Sequence, residues 1–305
     1  MEVPSWIILM VHLTQGVCGI LFNAIVIFLV LKKTPKQLAS YSILIFNFAI
    51  CDLVACASAL FVQHRMICDG LAIYLLSQGP CSYFGPPACI IGHSIMIHCF
   101  THGLWSLAFS FLYRYYILGH EQPRNSTIIS IIALIYTPSF LQLVLMSTVS
   151  DDEAVLKAEL ERKFGYTASL ETTAILPITG RSFFSLSAPV GISGFGTTVL
   201  YHTCTFKAYR STALTVQAVL PTLYLASSSI YFAEQLYSYR NQLFEYLVFI
   251  LLNFTPMLTP LTSLYFIGPY RVWMQNTFLF RAKVAQPLSK ARVQVVSVDI
   301  TRNTL

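Results

Sequence analysis

Three sets of residues could carry chemistry in this sequence: a histidine pair, a lone aspartate and a lone arginine, all in apolar surroundings. His98 and His102 stand four apart, a spacing that puts two imidazoles on one helix face and suits a metal ion. Two ligands do not complete a site. His93 lies nearby, but His12, His64, His120 and His202 form no second box, so lining of a polar cavity is the better reading and no metal is expected. Asp52 closes the stretch NFAICD, residues 47 to 52, in the middle of an apolar run. Asn23, at comparable depth, is placed to donate a hydrogen bond to it, while Asn47, five residues earlier, points to another side. Asp52 is then either a polar clasp between two helices or a switch that takes a cation or proton in one state. Arg114 stands alone among the seven aromatic and aliphatic residues of FLYRYYIL, residues 111 to 118. Ionisable groups at membrane depth are expensive and mark function by default.

Catalytic sets are missing. The sequence has no GxSxG, no P-loop, no paired intramembrane aspartates and no CxxC among its eight cysteines. Neither an enzyme nor a cofactor is expected, and the absence of lysine from 244 to 267 excludes a retinal Schiff base.

The elements that position these residues are membrane helices. The 305 residues are 55% hydrophobic and 10% charged, with a mean hydropathy of +0.64, where soluble domains carry about 25% charged residues. A span needs about 20 mostly apolar residues. Seven candidates run at about 7–31, 42–63, 84–118, 126–147, 183–205, 212–235 and 244–267. The fifth is diluted by Gly191, Gly194 and Gly196. The fold expected is an all-α seven-transmembrane helix bundle over 1–270, followed by a basic cytoplasmic tail over 271–305. The start MEVPSW has no basic residue, so the first run reads as structure rather than as a cleaved leader.

Lysine and arginine set the orientation. With the N-terminus outside and the C-terminus cytoplasmic, 13 of the 19 basic residues lie inside. Four of the other six share one long outer loop with six acids. The sequons at Asn125 and Asn253 then fall inside the cell and inside a span, so neither should carry a glycan. In that loop Ser150 and Glu153 form a capping box, and Leu156, Leu160 and Phe164 share a face, which reads either as a short amphipathic helix or as a solvated charge run. Pro221, Pro256 and Pro260 should kink the last two spans.

These motifs resemble those of a G-protein-coupled receptor. Asn23-Ala24-Ile25-Val26 is similar to the first-helix GN-x-x-V without its glycine, and Asn47 to Asp52 matches N-x-A-x-x-D in full. Arg114-Tyr115 is similar to the end of D/E-R-Y. More specifically, LKKTPKQLASYSILIFNFAICDLVAC, GPCSYFGPPAC, HCFTHGLWSLAFSFLYRYYIL, VQAVLP and PLTSLYFIGPYR resemble a nematode chemoreceptor, serpentine receptor class delta.

The resemblance implies a chemosensory receptor that binds a small-molecule cue and signals to a heterotrimeric G protein from the plasma membrane of a sensory cilium. Its partners would be the cue, the G protein and the bilayer, with no nucleic acid and a dimer left open. By depth, the ligand would be lined by His93, Met96, Ile97, Tyr224, Ser228, Phe249 and Asn253. Switching and coupling would fall to Asn23, Asn47, Asp52, Arg114, Tyr115, Pro221 and Arg271.

Tyr113 replaces the acid before the arginine, so Arg114 should be held by tyrosine hydroxyls or backbone carbonyls. The long outer loop has no cysteine for the family's usual bridge. Cys68, Cys81 and Cys89 are the outer candidates, with Cys68–Cys81 the favoured pair. A transporter or ligand-gated channel is the rival reading. It is disfavoured by the odd span count, by the lack of an internal repeat and, for the insect type of channel, by the orientation.

Overall fold

The structure, a computed structural model, describes residues 5–35, 38–69, 72–117, 119–148, 162, 174–178, 212–237 and 242–278. Seven α-helices lie among them. They are α1 (Ser5–Lys33), α2 (Ala39–Val62), α3 (Pro86–Tyr116), α4 (Asn125–Ser147), α5 (Thr212–Tyr237), α6 (Gln242–Phe266) and α7 (Gly268–Phe278). The span expected at 183–205 lies outside the described residues. So does the amphipathic helix expected in the long loop, save for Arg162.

Helices α1 to α4 and α6 are long and apolar enough to cross a membrane. Helix α3 is central, with 67% of its most apolar window buried, against 17% for α4. The outward face of α4 is nonetheless apolar, since Leu134 is 71% and Leu141 59% exposed. An apolar surface of that kind is matched to hydrocarbon rather than to water. Gly16 lets α1 approach α2 closely, because a Cβ there would run into Leu60.

A small antiparallel sheet caps one end of the bundle. Strands β1 (His64–Asp69), β2 (Ala72–Ser77) and β3 (Ala174–Ile178) lie in the order β1-β2-β3. Gln63, in the left-handed region at φ 43°, ends α2 and turns the chain into β1. A 3-10 turn (Pro80–Phe84) leads to Gly85, whose φ of 88° suits glycine and starts α3.

The core under the sheet includes Val62, Met66, Leu75, Met96, Phe100, Tyr224 and Phe249. At the other end, Val26, Leu29, Leu264 and Tyr270 join α1 and α6 to α7. Tyr270 and Thr34 share a hydrogen bond at 2.6 Å there, and Phe28 lies against Trp273 at 5.8 Å. The segment expected to open a basic tail at 271 therefore starts inside a packed helix.

Candidate functional site

Two polar assemblies stand at opposite ends of α3, with a third between them. At the α3 C-terminus, Arg114 Nη2 donates to the hydroxyl of Tyr41 on α2. Its guanidinium also lies over that ring, 5.1 Å from the centroid, and Tyr41 stacks on Tyr113 at 6.0 Å. A cation over an aromatic face contributes about 0.5–2 kcal/mol. The expected tyrosine hydroxyl is thus present, and Tyr113, in place of an acid, supports the ring that holds the arginine. Tyr115 and Arg271 are exposed.

A cavity of about 20 Å³ opens beside this contact, lined by Tyr41, Leu44, Phe48, Ser110, Thr259 and Ser263 among others.

In mid-bundle, Asn47 Nδ2 donates to Ser106 Oγ at 2.9 Å, and His102 Nε2 lies 3.1 Å from Asn47 Oδ1. A proton on Nε2 suits both the Asn47 oxygen and Ser106 Oγ, which is 3.2 Å away. His98 and His102 stack at 6.2 Å and both meet Tyr136 of α4 edge-on. The histidine pair therefore joins α3 to α2 and α4. Among the described residues no three His, Cys, Asp or Glu side chains converge as for a metal.

Asp52 is buried, and its Oδ2 has no hydrogen-bond partner among the described residues. The expected bond from Asn23 does not form. Asn23 Nδ2 instead donates to Gly19 O at 2.8 Å and to Pro256 O at 2.9 Å. Pro260 lacks the N–H that would have reached the carbonyl four residues back, which is that of Pro256. The asparagine repairs a break in α6, and both its amide hydrogens are then used.

At the sheet end, Arg65 Nε donates to Glu245 Oε2 at 2.6 Å, with the two side chains 2% and 9% exposed. The guanidinium lies 5.3 Å from the Tyr246 ring centroid, and Gln78 Nε2 donates to the Tyr246 hydroxyl. His64 pairs with Ser77 across β1 and β2, so their side chains share a face, and Nδ1 lies 2.9 Å from Ser77 Oγ. The His64 ring meets His93 edge-on at 4.6 Å and Phe249 at 5.5 Å. Burial, then the nearby His93 and His12, holds the His64 pKa well below its usual value. His64, which formed no box in sequence, thus meets His93. The spacing of α2 and α3 residues carried no signal for this, because a strand outside the spans delivers His64.

Of the ligand residues expected by depth, Met96, Ile97, Tyr224 and Phe249 share one core cluster, and His93 contacts Phe249. Asn253 is buried, with Oδ1 unpartnered among the described residues. Ser228 is only half-buried. Its neighbour Ser227 is the inward serine and donates to Val248 O. Pro221 lies within α5. The favoured Cys68–Cys81 bridge is corrected to Cys81–Cys89, with Cα atoms 5.0 Å apart. The turn before α3 folds Cys81 back onto the first turn of that helix, while Cys68 lies on β1 opposite Ile73.

A family profile described as "Serpentine type 7TM GPCR chemoreceptor Srd" matches residues 8–210 and 211–276. The chain belongs to the Srd chemoreceptor family. This Srd chain is 32% identical to serpentine receptor class delta-3 of Caenorhabditis elegans, over 88% of each chain. It is 31% identical to serpentine receptor class delta-19 of the same organism, over 85% of this chain and 84% of that one. Squid rhodopsin superposes with a TM-score of 0.62 at 15% identity, covering 92% of this chain and 87% of its own. The Srd chain therefore has a seven-transmembrane, rhodopsin-like fold and is a multi-pass membrane protein of a G-protein-coupled-receptor-like class.

Proposed function

We propose that the protein is a chemosensory receptor that binds a small-molecule cue and signals to a heterotrimeric G protein. It sits in the plasma membrane of sensory cilia with the N-terminus outside and the C-terminus cytoplasmic. The bundle domain continues into α7, which packs on it through Tyr270 and Trp273, and the basic tail follows that helix. The contact of Arg114 with Tyr41 carries the reading. A cation at the end of the central helix is held by a neutral hydroxyl and a ring, so it is released without separating an ion pair. Cue binding at the sheet end shifts the bundle only by its differential affinity for two states. The favoured state frees Arg114 to meet the G protein, with Arg271 at the border of that surface.

The test is expression with a panel of Gα subunits and an odorant library. Arg114→Ala should abolish signalling while surface expression persists, and normal signalling by that variant would remove the role given to Arg114. An epitope on the N-terminus should be accessible on intact cells. An inaccessible one would favour the channel reading.

A further inference from the structure

The sheet end holds a set of polar atoms that the fold leaves unused. His64 and His93 are each 2% exposed. Nε2 of His64 and both ring nitrogens of His93 have no hydrogen-bond partner among the described residues. A buried polar atom without a partner costs about 1–3 kcal/mol, so three on two rings in contact mark a place built for another molecule. The His64 and His93 rings stand 4.6 Å apart, with Phe249 5.5 Å and 6.2 Å from them. The unused nitrogens therefore lie beside an aromatic wall.

The charges nearby decide the ligand's class. Arg65, next to His64 on β1, is already matched by Glu245 at 2.6 Å, and Glu234 on α5 is also engaged. An ion brought into this place would lose its water and find no unmatched counter-charge among the described residues. A neutral imidazole offers one N–H and one lone pair. A hydroxyl answers both, and a carbonyl answers the N–H.

Resting on the receptor reading above, we infer that His64 and His93, walled by Phe249, form the contact site for an uncharged small molecule bearing a hydroxyl or carbonyl oxygen. The site is built from β1, α3 and α6, so it lies against the capping sheet rather than deep between the helices. Ligand binding there bears directly on the strand that also carries Arg65. The cue thereby reaches α6 by two routes, through the Phe249 ring and through Glu245.

The test uses the purified full chain and four probes of one shape: benzyl alcohol, acetophenone, benzoate and benzylammonium. Saturable thermal stabilisation is the readout, with no G protein present. Benzyl alcohol or acetophenone should stabilise the wild type, and the two ions should not. His93→Phe keeps the ring and removes both nitrogens, and it should weaken binding about tenfold, the equivalent of one lost hydrogen bond. His64→Phe serves as the second variant, and melting without probe reports whether each variant folds.

Binding of the ions alone, binding of no probe, or unchanged affinity in both variants would overturn the inference. The two readings fail separately. Neutral probes that bind a chain activating no Gα would count against the receptor function alone. A cue that signals through Gα, with the four probes ignored, would count against this site alone.

Discussion

Arg65 on β1 and Glu245 on α6 form an ion pair at 2.6 Å across 180 residues of sequence, with both side chains almost sealed from solvent. The pair ties the capping sheet to the first turn of α6. Removing one partner of a buried pair leaves a stranded charge and costs about 3–5 kcal/mol, whereas replacing both by apolar groups can be neutral. Glu245→Gln should lower the melting temperature of the purified receptor, and Arg65→Met with Glu245→Leu should recover part of the loss. A double variant as unstable as the single one would show that the pair holds more than its own charges.

Tyr41→Phe isolates the hydroxyl that receives Arg114 and leaves the ring beneath the guanidinium in place. Ligand-independent signalling should rise while surface expression stays constant. Unchanged basal signalling would mean that the ring alone restrains Arg114.

Asn23 and Pro260 form a testable couple. Asn23→Ala strands the Pro256 carbonyl and should cost about 1–3 kcal/mol of stability. Pro260→Ala restores an N–H that can reach the same carbonyl, so the double variant should recover most of that loss. Additive losses in a double-mutant cycle would place the role of Asn23 elsewhere.

His64 sets a pH dependence. Its folded pKa is held well below the unfolded value of 6.5 by burial, with His93 and His12 adding to it. Below pH 6.5 the unfolded chain therefore binds more protons than the folded one, and stability falls as the pH drops. At pH 5.5 the melting temperature should fall relative to pH 7.5, and by less in His64→Gln. Ser77 and Phe249 face His64 as well, but neither titrates in this range. An equal fall in both proteins would assign the effect to His12 or His93.

The helices were legible because long apolar runs have few other fates. Runs at 42–63 and 126–147 differ by only a few residues from α2 (Ala39–Val62) and α4 (Asn125–Ser147). The sheet was harder to see. Asp69-Gly70 carries hairpin turn chemistry, and two residues separate β1 from β2, but the strands fall in a short link between two strong spans. Helix α7 carried a weak signal in Tyr270, Trp273 and Met274 at helical spacing, easily missed beside Arg271 and a basic tail.

The site was legible where one helix supplies the geometry, as with Arg114 at the end of α3 and the matching of Asn47 to a side other than that of Asp52. It was illegible where partners come from distant elements. Asn23 turned from Asp52 to a carbonyl freed by a proline on α6. His64 needed a strand to reach His93, and Glu245 reads as an ordinary acid in the first turn of a helix until Arg65 arrives.

The bond from Asn23 to Pro256 also sets an order on biosynthesis. The two residues are 233 apart, so α1 enters the membrane long before its partner has been made. Until α6 arrives, one amide hydrogen of Asn23 is held by Gly19 in its own helix and the other lacks its acceptor, so the first span is incomplete in lipid. A chain that stops before α6 never gains that acceptor, so the last long helix completes the first one.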